Sequence, residues 1–249
     1  MNVRLSTAVL SDVGLVRSNN EDAAYAGPRL LAVADGIGGA PAGEVASEIV
    51  IRALRDLADG PGAAGPDELR AAVEAANAEI AAADPAHRGM GTTVTALLVA
   101  GDQLVLLHVG DSRGYLLRDG ELTRLTRDDT FVQELVDREV ITAEDARSHP
   151  QRSIVMQAVQ GLEYSPAVHA MTPQAGDRYL LCSDGLSDYV SDAAIAQTLV
   201  LCPDPQQCAD RLIRQALRAG APDNVTVLVS DVALAEVSAQ GDLSGVSAG

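Results

Sequence analysis

Four aspartates stand where apolar runs give way to glycine or to turn-forming residues. Asp35 follows LLAVA, Asp111 follows LVLLHVG, Asp184 follows RYLLCS, and Asp223 lies in APDNVTVLV just before the last apolar run. Any one of them reads as a turn residue, because a short carboxylate hydrogen-bonds its own loop and Asp-Gly suits tight turns. One context repeated at four distant places argues instead for a shared site. Carboxylates that converge at the ends of buried strands repel one another unless a cation neutralises them. Oxygen donors alone suit a hard ion such as Mg2+ or Mn2+. The spacing carries the reading as far as a candidate metal site.

The elements that must position these acids alternate between two periods. Residues 42–58 place Val45, Ile49, Ala53, Leu54 and Leu57 on one helical face, and residues 66–83 do the same with Leu69, Val73, Ala76 and Ile80. Pro66-Asp67 is helix-start chemistry. Residues 91–100 and 103–110 are strand-like and meet at Gly101-Asp102, while 114–118 and 122–126 flank Asp119-Gly120, a hairpin signal. Residues 128–160 are more polar and predict short helices around Pro150. Strands are expected at 166–171, 178–183 and 225–232, with helices near 192–201 and 205–219. Hairpins combined with helix pairs predict an α+β protein of mostly antiparallel sheets with helices packed outside. No internal repeat or interdomain linker is visible, and the small, polar residues 238–249 are expected to be disordered.

Composition narrows the function classes. The chain has 249 residues, 47% hydrophobic and 21% charged, which describes a globular protein. A formal net charge of −17 disfavours nucleic acid and anionic membranes as partners. No apolar run reaches the roughly 18–20 residues that span a bilayer, and MNVRLSTAVLSD lacks the apolar centre of a signal peptide. Cys182, Cys202 and Cys208 show no CxxC spacing and read as reduced thiols, so a cytoplasmic location is expected.

The words around the acids say more. RSNNEDA (17–23), ADGIGG (34–39), GEVAS (43–47), GMGTT (89–93), HVGDSRGYL (108–116), SDGLSD (183–188) and APDNVTVLV (221–229) occur in that order. The chain resembles the PPM-type metal-dependent protein serine/threonine phosphatases, the protein phosphatase 2C family in its bacterial form, from about Arg4 to Val232. The resemblance implies a four-layer αββα sandwich, two mostly antiparallel sheets flanked by helix pairs, with a flap near 127–160. It implies one phosphatase domain over 1–236, which leaves 237–249 as the tail whose composition predicts disorder. It also implies a site: Asp35 bridging two ions, Gly36 offering its carbonyl, Asp184 and Asp223 completing the first position, and Asp111 with Asp184 holding a third, weaker ion. Arg17 matches the arginine that grips substrate phosphate. Glu21 and Asp22 fall beside the water around the ions, and Asn224 is the orienting neighbour of Asp223.

The implied reaction is hydrolysis of phosphoserine or phosphothreonine in proteins, with Mg2+ or Mn2+ as cofactor. A water shared between two ions attacks phosphorus in line, and no phosphoenzyme forms. Arg17 and the ions offset charge on the phosphoryl oxygens, which makes Arg17 and Asp35 the catalytic pair. Phosphoprotein substrates are the expected partners, a serine/threonine kinase and its targets among them, and a monomer is expected.

Two departures stand out. Ile37 replaces a histidine of eukaryotic relatives and cannot donate a proton to the leaving group, so a water at the third ion is the expected donor. Asp128-Asp129-Thr130 replaces the Asp-His-Ser common in bacterial relatives. His149 in SHPQRS is expected to be structural in the flap, and His108 to be a hydrogen-bonded core imidazole. Two rivals remain open. GDSRG (110–114) fits the G-x-S-x-G elbow of serine hydrolases, with Ser112 as nucleophile, although that motif needs a helix after the turn. The other is a catalytically weak phosphatase-like domain that binds a regulatory partner.

Overall fold

The structure is a computed structural model that describes residues 2–39, 42–83 and 89–235. The tail expected over 237–249 and His87 lie outside the described residues.

Eleven strands and seven helices follow one another as β1 (Asn2–Asp12), β2 (Asp22–Ala26), β3 (Leu30–Ile37), α1 (Ala42–Asp59), α2 (Pro66–Ala81), β4 (Gly91–Thr92), β5 (Val94–Ala100), β6 (Gln103–Val109), β7 (Arg113–Arg118), β8 (Glu121–Arg124), α3 (Phe131–Asp137), α4 (Ala143–Ser148), β9 (Ala167–Met171), β10 (Arg178–Cys182), α5 (Asp184–Ser187), α6 (Asp192–Leu201), α7 (Pro205–Arg218) and β11 (Val225–Ala235) among the described residues. One sheet has the order β1-β11-β10-β7-β8, the other β2-β3-β5-β6-β9 with β4 paired to the end of β3. Every pairing is antiparallel.

Three apolar clusters show why these segments stack as they do. Ile49, Val50 and Leu54 of α1 and Leu69, Val73 and Ile80 of α2 pack on Leu30, Ala32, Leu98 and Leu107 of the second sheet. Leu199 of α6 and Leu212 and Ala216 of α7 pack on Leu180, Val227 and Val229 of the first. Between the sheets lie Leu31, Val33, Leu97, Leu106, Leu181 and Leu228. Successive residues of one strand therefore serve different layers. Leu30 and Ala32 meet the helices while Leu31 and Val33 meet the other sheet, as the period of 2 requires. The result is the four-layer helix–sheet–sheet–helix sandwich. Among the described residues no helix is long and apolar enough to cross a membrane.

The boundaries shift where side chains have other tasks. The apolar run at 91–100 breaks at Thr93 into β4 and β5, and the second helix ends at Ala81. Between β8 and β9 the expected flap holds α3 and α4. Thr130 caps the first through Gln133 N, and Thr142 with Asp145 forms a capping box on the second.

Candidate metal centre

The four aspartates gather at one end of the sandwich, two from each sheet. Asp111 follows β6 and Asp35 belongs to the same sheet, whereas Asp184 follows β10 and Asp223 precedes β11. Asp35 does not sit in a loop after its strand, as the glycines suggested: β3 runs on to Ile37, with Asp35 opposite Asp22, Gly36 opposite Thr92 and Ile37 opposite Gly91. Asp184 is likewise not in an open loop but begins the helical turn α5.

The backbone of Asp35 is clamped by the threonines of GMGTT. Asp35 N donates to Thr93 Oγ1 at 3.0 Å. Its carbonyl accepts from Thr93 N and Thr92 Oγ1, both at 2.9 Å. Gly36 explains the helix motif GEVAS. A side chain at Gly36 would stand 2.3 Å from the Gly43 carbonyl oxygen, and one at Gly43 would stand 2.1 Å from Glu21 Oε2. Two glycines thus let α1 press against the Asp35 strand and the Glu21 carboxylate.

Charge is the dominant property of the cluster. Burial, then the nearby Asp22, Asp184, Asp111 and Asp223, hold the Asp35 carboxyl well above the usual carboxylate range. Asp184 is raised in the same way, by burial and then by Asp111, Asp188, Asp223 and Asp22. Burial, with Asp128 and Asp188, pushes Asp111 up to about 7 against the opposing pull of Arg113. Burial likewise pushes Asp22 up to about 6. Asp22 Oδ2 accepts from Ser183 Oγ at 2.7 Å, but its buried Oδ1 has no partner.

Arg17 stands at the rim of this cluster, where Nη2 donates to Asp223 Oδ2 at 2.8 Å. The pair is part-exposed, at 46% and 38% for the two side chains, so the guanidinium remains accessible from outside. Asp223 Oδ1 accepts from Asn224 N at 2.9 Å. Among the described residues no three His, Cys, Asp or Glu side chains converge on one point at ligating distance. Asp223 is paired with the Arg17 guanidinium.

Asn224 fixes the loops on which this depends. Its Oδ1 accepts from Glu21 N at 2.8 Å, and its Nδ2 donates to the carbonyls of Val13 and Asn19, each at 2.9 Å. The Glu21 carbonyl in turn accepts from Ser47 Oγ of α1 at 2.6 Å. The segment carrying Arg17, Glu21 and Asp22 is therefore tied both to the Asp223 loop and to the helix behind Asp35.

Two participants, Thr93 and Thr95, were not singled out individually from the sequence. Thr93 Oγ1 lies 2.7 Å from Ser112 Oγ, and the Ser112 carbonyl accepts from Thr95 Oγ1 at 2.9 Å. Thr95 Oγ1 is 2.9 Å from His108 Nδ1, and His108 Nε2 is 3.0 Å from the Arg127 carbonyl. This buried chain joins the Asp35 strand to the Asp111 turn and the flap. Ser112 adjoins Asp111 in the sequence, but Thr93 and Thr95 carry no such local signal. Ser112 is fully buried and is followed by the strand β7, which removes the nucleophile-elbow reading. His108 is the expected core imidazole, and burial lowers its pKa. Cys182 is also core, its thiol pushed up to about 12 by burial. His149 ends α4 in the flap, where its Nδ1 accepts from Gln151 N at 3.1 Å.

The family pattern described as Protein phosphatase 2C matches residues 17–219. The chain belongs to the protein phosphatase 2C family. It is 59% identical over 232 residues to the serine/threonine protein phosphatase PstP of Mycobacterium tuberculosis, covering 92% of this chain and 45% of that protein. This chain thus spans about half the length of that relative. It is 37% identical to the serine/threonine phosphatase stp of Listeria monocytogenes, over 88% of this chain and 92% of the other. The crystal structure of the M. tuberculosis phosphatase superposes with a TM-score of 0.88, covering 92% of this chain and 98% of that one. A PstP catalytic domain in complex with two manganese ions, 55% identical, gives 0.87 over 94% of this chain and all of the other. The protein phosphatase 2C fold therefore accounts for both sheets and both helix layers.

Two measurements follow from this geometry. Asn224→Ala removes three hydrogen bonds that hold the Val13–Asp22 segment. Unfolding in urea should show a loss of about 2–4 kcal/mol, and wild-type stability would show that the loops are held otherwise. The second concerns pH. With Asp22 at about 6 and Asp111 at about 7, the folded, ion-free protein holds protons that the unfolded chain has already lost. Stability should therefore fall as pH rises from about 5 to 8, read as a falling melting temperature in EDTA. A flat profile would contradict the shared field of the carboxylates.

Proposed function

We propose that this chain hydrolyses phosphoserine and phosphothreonine in proteins, with Mg2+ or Mn2+ held by the carboxylate cluster. The observation that carries this reading is the mutual electrostatic field of Asp22, Asp35, Asp111, Asp184 and Asp223, with the Arg17 guanidinium at its rim. The donor set fits hard divalent ions. It is all oxygen, its carboxyl pKa values are raised by burial and by one another, and the buried Oδ1 of the neighbouring Asp22 has no partner. The M. tuberculosis relative and the manganese-bound catalytic domain support the same assignment.

Asp35 and the Gly36 carbonyl, with Asp184 and Asp223, would hold the two main ions; Asp111 and Asp184 would hold a weaker third. Bound there, the ions activate water and draw charge from the phosphoryl oxygens. Glu21 and Asp22 orient the surrounding water, and Asn224 keeps Asp223 in place. Arg17 presents two parallel N–H groups to phosphate oxygens, a fork that a lysine does not offer. Only Nη2 is engaged by Asp223, so the other N–H groups of the guanidinium remain free for phosphate. Neither Ser112 nor Cys182 can attack, both being fully buried, so no phosphoenzyme is required. Ile37 cannot protonate the leaving serine or threonine oxygen, and a water beside Asp111 and Asp184 is assigned that role. The substrates are read as phosphoproteins of the cytoplasm, a serine/threonine kinase and its targets among them.

Hydrolysis of p-nitrophenyl phosphate and of a phosphothreonine peptide should require added Mn2+ and be abolished by EDTA, while phenylmethylsulfonyl fluoride leaves it intact. Asp111→Ala should lower peptide turnover by about 10²-fold, the usual weight of a positioned proton donor. Unchanged turnover would remove Asp111 from the proton path. Absence of any hydrolysis with Mn2+ would favour a partner-binding domain.

A further inference from the structure

The departure at Asp129 has a specific geometry. Asp129 N donates to the Gly110 carbonyl at 2.7 Å, and Asp129 Oδ2 accepts from Gly110 N at 3.0 Å. Both backbone polar groups of the residue before Asp111 are therefore held by one aspartate. Gly110 has φ +103°, and a side chain there would strike Thr93 Cγ2 at 2.6 Å, so the turn is pressed against the threonine that clamps Asp35. On its other side Asp129 faces the flap. Oδ1 accepts from Gln157 Nε2 at 3.2 Å, and the Asp129 carbonyl accepts from Met156 N at 2.7 Å.

The neighbours of Asp129 are anchored separately. Asp128 accepts from Arg113 Nε at 3.0 Å and from Arg113 Nη2 at 2.6 Å, which ties it to β7. Thr130 caps α3 and bridges Val155. Only Asp129 reaches the Asp111 turn with one carboxylate oxygen and the 154–157 segment with the other. That segment carries Ile154 and Met156, which are 42% and 50% exposed. They are apolar side chains that a polypeptide lying on the flap would meet.

We propose that Asp129 is a positioning residue that couples the flap segment 154–157 to the Asp111 turn, so that a polypeptide engaging the flap adjusts the Asp111 carboxylate. Its catalytic consequence rests on the function proposed above; the mechanical coupling does not. Asparagine is the informative replacement. Gln157 Oε1 already accepts from Ser165 N at 2.9 Å, so Gln157 cannot turn its oxygen toward an amide without losing that bond. Asp129→Asn can therefore keep the bond to Gly110 or the bond to Gln157, but not both.

The test uses amide hydrogen exchange together with kinetics on Asp129→Asn, Gln157→Leu and the double variant. Gln157→Leu touches only the flap side. Coupling predicts that it raises exchange at Gly110, across Asp129, by at least about fivefold, the weight of one hydrogen bond. It also predicts that kcat for a phosphothreonine peptide falls in both single variants while KM for p-nitrophenyl phosphate stays unchanged, and that the double variant falls no further than Asp129→Asn. Unchanged exchange at Gly110 in Gln157→Leu would overturn the proposal, as would additive losses in the double variant. Raised exchange in a protein without phosphatase activity would uphold the coupling and reject the proposed function.

Discussion

Like charges brought together at the junction of two buried sheets set the terms for the rest of this molecule. At about 5 Å and an effective dielectric near 20, one pair of carboxylates costs about 3 kcal/mol. A few such pairs rival the whole stability of a domain, about 5–15 kcal/mol. Burial and this repulsion hold Asp35, Asp111, Asp184 and Asp22 toward their protonated forms, while Asp223 pairs with Arg17. A divalent cation relieves the same strain without protons. In the function proposed, affinity for metal and the cost of the bare cluster are one property seen from two sides.

Such a cluster must be built on parts that do not yield. Two sheets contribute two aspartates each, so their relative placement is set by the apolar layer between the sheets. Local clamps then fix individual groups: the threonines on the Asp35 backbone, the Gly36–Gly43 approach that admits α1, and Asn224 across three loop groups. The buried chain from Thr93 through Ser112 and Thr95 to His108 links the two acids of one sheet. The rim is left more open, and there Arg17, part-exposed beside Asp223, is the group that meets phosphate in the function proposed.

Most of the sandwich was legible because helix and strand periods are local. The helices at 42–58 and 66–83, the Asp119-Gly120 hairpin and the last strand all appear within a few residues of their expected limits. The long strand β1 was not singled out. Val3 and Leu5 pack toward the other sheet with Arg4 and Ser6 exposed, but from Ala8 and Leu10 the apolar contacts pass to the helix side, so no single alternation runs through the strand. The site aspartates were legible from their context, but two structural details were not. Asp35 lies within its strand because the partners that extend it, Asp22 on one side and Thr92 beyond, come from distant segments. The Arg17–Asp223 pair, 206 positions apart, is a balance of charges that spacing does not encode.

Calorimetric titration of Mn2+ into the ion-free protein, repeated in buffers of different ionisation enthalpy, measures the protons released as the ion binds. If the carboxylates hold protons for want of a counter-charge, binding at about pH 6 should release at least about one proton and binding at about pH 8 clearly fewer. Binding without proton release at the lower pH would contradict the account, because the aspartates would then have been ionised side by side before the cation arrived.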